Sequence, residues 1–309
     1  MGKTALVFPG QGSQYTGMAK DLYEGNETAK KIIDLADSVL DFDLKKMMFC
    51  EEMSEELSKT ENTQPAMVAH SIAALEALKE IDDIKFDACL GLSLGEYAAL
   101  TAAGAMKFED AIKLVRKRGK LMAETVPAGV GAMAAVIGFD REIIEKTVAS
   151  VTDGVVEVAN YNSPAQIVIS GEDAAVEKAI ELLKEAGAKK VIKLNVSGPF
   201  HSSMLKEAGE KLSKELENVE IVSPEVSVVA NVNAKYYGDN PKELLVKQVY
   251  SSVMWEDSIS MLMDEGFDRF IEIGPGKTLK GFIRKIGSKK GVKPEIINID
   301  TLESLEQFR

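Results

Sequence analysis

Apolar positions fall into short continuous runs and into stripes of helical spacing, and the two kinds alternate along most of the chain. KTALVFPG (3–10) is a β-rich run broken by Pro and Gly, which predicts a buried strand feeding a loop. Helical periodicity follows over 27–40 and 64–81. FDACLGL (86–92) predicts a second buried strand, LGEYAALTAAGA the helix leaving it, and residues 108–126 a strongly amphipathic helix. Buried strands flanked by helices argue for a parallel α/β sheet.

The rhythm changes after Pro127. A strand at 131–139, a helix at 140–151 opened by Asp140, and strands at 155–162 and 165–171 joined by a short turn are predicted. A helix at 173–187 ended by Gly187 and a strand at 189–197 complete the set. That β-α-β-β-α-β order is the ferredoxin-like unit. From residue 202 the αβ alternation resumes, with a helix near 203–217, a strand at 226–232, helices in PKELLVKQVYS and EDSISMLMDEG, and a strand at 269–274. A helix in GKTLKGFIRKI and a last strand at 294–300 follow. The expected fold class is α/β. A discontinuous domain, 1–127 and 198–309, carries a parallel sheet and an inserted ferredoxin-like subdomain, 128–197.

Composition narrows the function classes. The chain has 309 residues, 45% of them hydrophobic, and a formal net charge of −12, so no global basic field favours nucleic acid or an anionic membrane. The longest uncharged run, 125–139, is too short and too rich in Gly and Pro to span a bilayer. The N-terminus lacks a signal-peptide pattern, and Leu6 stands where a myristoylation motif needs Ser or Thr. Cys50 and Cys89 are far apart without CxxC spacing, which suits a reducing cytoplasm. Two Cys and two His leave no zinc cluster, so no metal is expected. The expectation is a cytoplasmic enzyme.

GLSLGEY (91–97) puts Ser93 in a G-x-S-x-G pattern between a predicted strand and a predicted helix, as in the nucleophile elbow of α/β-hydrolase-like folds. The blander reading is a small-residue packing joint. Of the two histidines, His70 lies at helical spacing among apolar residues and reads as a packed helix position. His201, in SGPFHSSM at the start of a helix, is the better base, because a helix N-terminus disfavours imidazolium. No acidic third member stands out, so a Ser–His dyad is expected. Arg118 falls within the apolar stripe of the 108–126 helix with Val115 and Met122. An inward guanidinium needs a carboxylate, either a structural Asp or Glu or one on a substrate. GQGSQ (10–14) is too poor a match for a phosphate loop, but suits a loop that supplies a backbone N–H and an amide to an oxyanion. GPGKT (274–278) lacks the first glycine of a Walker motif, so nucleotide binding is rejected there. Basic clusters at 113–120, 184–193 and 284–293 read as solvated faces, or as a docking surface for an acidic partner.

VFPGQGSQ, SLGEY, the RG of RKRGKLM, NYNSPAQIVISG, GPFH and EIGPGKTL, in that order over nearly the whole chain, resemble the malonyl-CoA:acyl carrier protein transacylases. The resemblance implies transfer of malonyl from malonyl-CoA to the phosphopantetheine thiol of acyl carrier protein, serving fatty acid synthesis, through a malonyl-serine and without a cofactor. It implies Ser93 as nucleophile, His201 as base, and the N–H groups of Gln11 and Leu94 as oxyanion hole. Arg118 would clamp the malonyl carboxylate, with Phe200 and Met122 also in the substrate site. Phe200 would go with malonyl over methylmalonyl selection, and the backbone carbonyl of Gln248 would orient the histidine. The partners implied are malonyl-CoA and acyl carrier protein, with the chain a monomer. Leu92 departs from the His that many members carry before the serine. The competing functions are a serine hydrolase or thioesterase, an acyltransferase for another acyl group, and a carrier-binding scaffold without chemistry.

Overall fold

The computed structural model describes residues 2–127, 129–196, 198–238 and 241–308. Ala128 and Ser197, the two ends of the expected insert, lie outside the described residues, and so does the end of the predicted 189–197 strand. Ten strands are present among the described residues: β1 Lys3–Phe8, β2 Ala88–Gly91, β3 Gly131–Ile137, β4 Val156–Ser163, β5 Gln166–Glu172, β6 Lys190–Lys193, β7 Ser227–Ala230, β8 Lys235–Tyr236, β9 Phe267–Ile273 and β10 Glu295–Ile299. They form two sheets. One has the order β10-β9-β1-β2-β7-β8, parallel from β10 to β7, with the short β8 antiparallel at its edge. The other, β4-β5-β3-β6, is wholly antiparallel.

The middle strand β1 shows why the larger sheet is covered on both faces. Leu6 and Phe8 pack into one apolar cluster with the helices Thr60–Ile81 and Phe108–Thr125, while Ala5 and Val7 pack into another with Trp255–Asp264 and Thr278–Lys290. Every residue from Ala5 to Phe8 is fully buried, as a two-sided parallel strand requires. The Thr60–Ile81 helix is buried around most of its circumference, and it starts four residues before the predicted 64. Pro65 sits inside the helix, where it forfeits one backbone hydrogen bond. The extra turn brings Gln64 into the interior. None of the helices among the described residues is long and apolar enough to cross a membrane.

The smaller sheet has its own core. On β3, Ala132, Ala134 and Val136 pack with the helices Arg141–Ser150 and Asp173–Glu185, whereas Met133 and Ala135 turn toward the larger body. Two backbone bonds, Tyr161 N–H to Val253 at 2.9 Å and Val253 N–H to Ala159 at 2.8 Å, stitch β4 to the segment before the Trp255–Asp264 helix. Arg141 adds a two-pronged contact to Asp257, at 3.1 and 3.2 Å, over the Tyr161 ring. Of the predicted strand at 189–197, Lys190–Lys193 is regular, Leu194 still donates its N–H to the Met133 carbonyl at 2.8 Å, and Leu194, Asn195 and Val196 line the cleft between the two sheets. The helices Lys20–Gly25, Leu44–Phe49, Ser54–Leu57 and Leu302–Glu306 have no counterpart in the sequence prediction.

Candidate active site

The turn after β2 is set by contacts that leave no room for side chains. A Cβ on Gly91 would lie 1.9 Å from the Gly95 carbonyl carbon, and one on Gly95 would lie 2.1 Å from the Phe8 oxygen. The glycines are therefore there for close approach, while the left-handed conformation falls on Ser93 itself, at φ 51°. A serine pays for that conformation in strain, which marks a position held by its surroundings. Asn231, just past β7, does much of the holding. Its Oδ1 accepts from Ser93 N–H at 2.6 Å and its Nδ2 donates to the Gly91 carbonyl at 2.7 Å.

His201 reaches the serine across 108 residues of sequence. Nδ1–H donates to the backbone carbonyl of Gln248 at 2.8 Å, since a carbonyl only accepts. That tautomer leaves Nε2 to accept from the Ser93 hydroxyl at 2.7 Å. Burial, and then the positive charge of Arg118, push the imidazole down to about 4. The chain does enter a helix just after His201, through a 3-10 turn at Ser203–Leu205 that runs into Lys206–Glu217, but the neutral ring rests on burial and on Arg118. The loop is tied by Ser202 Oγ donating to the Pro199 carbonyl and by Ser203 N–H donating to Glu157.

Arg118 is 1% exposed and meets no carboxylate at salt-bridge distance among the described residues. Nη1 donates to Gln64 Oε1 at 2.8 Å, and Nη2 donates to Gln248 Oε1 at 2.9 Å and to Ser93 Oγ at 3.1 Å. Neutral oxygens thus hold the guanidinium over the nucleophile. Gly119 beside it has a packing reason, because a Cβ there would come within 2.5 Å of the Glu61 Cα where the two long helices cross.

A cleft of about 520 Å³ opens over these groups. Gln11, Leu94, Met122 and Phe200 all line it, and so does Leu92. The backbone N–H groups of Gln11 and Leu94 donate to no protein acceptor among the described residues. The Gln11 side chain, in contrast, donates to Thr60 Oγ1 at 3.1 Å, so the amide foreseen for an oxyanion is engaged elsewhere. Met122 accepts a weak bond from Gln64 Nε2 at 3.8 Å. Gln248 approaches from behind the histidine and does not line the cleft. The antiparallel sheet contributes Asn160, Asn162 and Gln166 to the opposite wall, and the GPGKT loop contributes Thr278, bonded to Ser13 at 3.2 Å.

Three residues that touch this constellation were not singled out from the sequence: Gln64, Asn231 and Glu96. Glu96 lies in the quoted GLSLGEY stretch, three positions after the serine, where an acidic residue in a first helical turn has an ordinary dipole explanation. Buried completely, its carboxyl is pushed up to about 7, with hydrogen bonds from Tyr237, Gln248 and Asn231 opposing the rise.

The acyl transferase domain family matches residues 5–298. The malonyl CoA-acyl carrier protein transacylase of Staphylococcus aureus (strain MRSA252) is 47% identical, over 99% of this chain and 98% of its own. The crystal structure of the malonyl CoA-acyl carrier protein transacylase from Clostridium perfringens superposes with a TM-score of 0.94 at 43% identity, over 99% of this chain and 96% of the other. A malonyl-transacylase in complex with a type II PKS acyl-carrier protein superposes with a TM-score of 0.94 at 38% identity, over 99% and 98%. The elbow, the imidazole aligned on it and the buried guanidinium thus sit in a chain whose whole length has named counterparts, and the chain belongs to the malonyl CoA-acyl carrier protein transacylase family.

Proposed function

We propose that this chain transfers malonyl from malonyl-CoA to the phosphopantetheine thiol of an acyl carrier protein, by way of a malonyl ester on Ser93. The observation that carries the proposal is the unbroken chain from the Gln248 carbonyl through His201 to Ser93 Oγ, with Arg118 3.1 Å from the same oxygen. His201 Nε2 takes the Ser93 proton as Oγ attacks the thioester carbonyl. The N–H groups of Gln11 and Leu94 hold the oxyanion. Collapse of that intermediate breaks the C–S bond, and the imidazolium returns its proton to the departing coenzyme A thiolate. The carrier thiol then gives its proton to His201 and attacks the ester carbonyl; collapse breaks the ester C–O bond, and the imidazolium returns the proton to the departing Ser93 oxygen.

Arg118 has two effects. It binds the malonyl carboxylate, and in the free protein its charge depresses His201. A bound carboxylate offsets that charge, so the imidazole becomes more basic when the substrate that needs it arrives. Phe200 and Met122 supply apolar walls beside the carboxylate, and Phe200 favours malonyl over a branched acyl group. Leu92 puts an alkyl surface in the cleft where other members carry an imidazole, which leaves the dyad untouched.

The strand orders support the finer reading of the architecture. A parallel sheet with a serine elbow after β2 favours reading 1–127 and 198–309 as a hydrolase-like discontinuous domain, and the order β4-β5-β3-β6 favours reading 128–197 as a ferredoxin-like insert. The chain acts as a cytoplasmic monomer without metal or cofactor, serving fatty acid synthesis.

Intact mass measurement after mixing with malonyl-CoA tests the reading. A malonyl-sized adduct is expected, absent from Ser93→Ala and discharged faster by holo acyl carrier protein than by water. An unmodified wild-type protein overturns it, and discharge by water at the carrier-protein rate makes the chain a hydrolase.

A further inference from the structure

The side chain of Gln248 stands between two buried charges. Its Oε1 accepts from Arg118 Nη2 at 2.9 Å, and its Nε2 donates to Glu96 Oε2 at 2.5 Å and to the Ser93 carbonyl at 2.8 Å. Those partners admit one orientation of the amide, because a flip would point its N–H groups at the guanidinium and its oxygen at a carboxylate and a carbonyl. The same residue's backbone carbonyl accepts from His201. Glu96 is fully buried, and its other bonds come from Tyr237 OH and from the backbone N–H of Asn231, whose side chain grips the Ser93 N–H. One carboxylate therefore touches both residues that fix the elbow and the base.

We propose that Glu96 is a positioning residue of the acyl-transfer site: its carboxylate anchors the Gln248 amide, which in turn holds Arg118 over Ser93 and sets the carbonyl that orients His201. The interposed amide also keeps Glu96 from pairing directly with Arg118. The guanidinium stays surrounded by neutral acceptors, with the Glu96 carboxyl one amide away, and remains open to a substrate carboxylate. A direct Arg118–Glu96 ion pair would have consumed that capacity. The acidic group that a Ser–His dyad lacks beside its histidine is thus present, displaced by one residue onto the group that carries the orienting carbonyl.

This inference rests on Ser93 being the acylated residue, and the experiment separates the two. Single-turnover malonylation of Ser93, followed by rapid quenching and intact mass, is measured for the wild type, Glu96→Ala, Gln248→Ala and the double variant, with folding checked by cooperative melting. Loss of the acceptor for Gln248 Nε2 is expected to slow loading by about 10–100-fold. The double variant should be no slower than Gln248→Ala, because the effect of Glu96 travels through that residue. Glu96→Gln, which still presents an oxygen to Gln248 Nε2, should recover loading to within about fivefold of wild type. Losses that multiply in the double variant overturn the proposal, and so does wild-type loading by Glu96→Ala. Should Glu96→Ala fail to fold, Glu96→Met keeps the volume without an acceptor, and a loss beyond about tenfold in Glu96→Gln is alone sufficient to overturn the proposal. A wild-type protein that takes no malonyl would instead refute the function itself.

Discussion

Arg118 donates to the oxygen of Ser93 at 3.1 Å while His201 holds the same oxygen at 2.7 Å. The guanidinium is thus placed to feel both the substrate and the proton transfer. Replacing Arg118 by Ala should lower kcat/KM for malonyl-CoA by about 10²–10³-fold, the scale of a lost charge-assisted clamp, and affect acetyl-CoA far less. Because Arg118 is one cause of the depressed imidazole, its removal should also move the acid limb of acetyl loading to higher pH from the vicinity of 4. Initial rates of thiol release with both esters across pH measure both effects. Equal losses for the two esters would make Arg118 a structural residue.

Ser93 adopts φ 51°, a conformation a glycine adopts freely. Neither Ser93→Gly nor Ser93→Ala should take up malonyl. The glycine variant should nonetheless melt above the alanine variant by about 2–4 °C, the shift for roughly 1 kcal/mol of relieved strain. Calorimetry of the two proteins provides the comparison, and equal melting temperatures would mean that the elbow stores no strain.

Gly95 and Gly281 both lie in helices and should respond in opposite directions. A Cβ on Gly95 would fall 2.1 Å from the Phe8 oxygen, whereas one on Gly281 meets nothing within 4 Å. Gly95→Ala should destabilise by about 3 kcal/mol or more, because the β1 backbone must move. Gly281→Ala should stabilise by up to about 1 kcal/mol through helix propensity. Denaturant midpoints at constant m-value report both.

Glu96 ties stability to pH in a direction unusual for a carboxylate. Its folded value is raised from 4.5 to about 7, so between those pH values the native state holds a proton that the unfolded chain has released. Stability from this group is greatest below about 4.5 and declines as pH rises to about 7. His201, lowered from 6.5 to about 4, acts oppositely: the unfolded chain binds its proton first, so its contribution grows as pH rises through that interval. Subtracting the melting curve of wild type from that of Glu96→Gln isolates the carboxylate. The difference should grow in favour of the variant between pH 4.5 and 7 and then level off. A difference independent of pH would mean that Glu96 is not raised.

The reacting groups were readable from the sequence because each announces itself locally. Ser93 has glycines two positions to either side, His201 has one histidine as competitor, and Arg118 interrupts an apolar stripe. Their supports carry no such mark. Asn231 lies 138 residues from the serine it grips, and Gln64 lies 54 from the arginine it holds. Only the fold brings these pairs within hydrogen-bond reach. The strand predicted to run on through 194–196 was overextended for a related reason. KVIKLNV keeps an alternating pattern past the point where the backbone turns away to line the cleft. Helices of six residues, as at 20–25 and 44–49, contain too few turns for periodicity to reveal them.

The antiparallel sheet contributes Met133, Asn160, Asn162, Gln166 and Val168 to the wall of the cleft and ties the His201 loop through Glu157, but the bonds made directly among Ser93, His201, Arg118 and Gln248 involve none of its residues. Arg118, Met122 and Phe200 line the cleft on the side of the reacting groups, so the antiparallel sheet shapes the far wall only, and the two are joined at the Ala159–Tyr161 and Val253 stitch. For engineering, this makes the antiparallel sheet the place to alter the far wall of the cleft. A chimera that borrows 129–196 from a relative would keep the acylation centre and the Arg118, Met122 and Phe200 side of the cleft, and would exchange only the opposite wall. The stitch at Val253 is the seam such a graft has to respect.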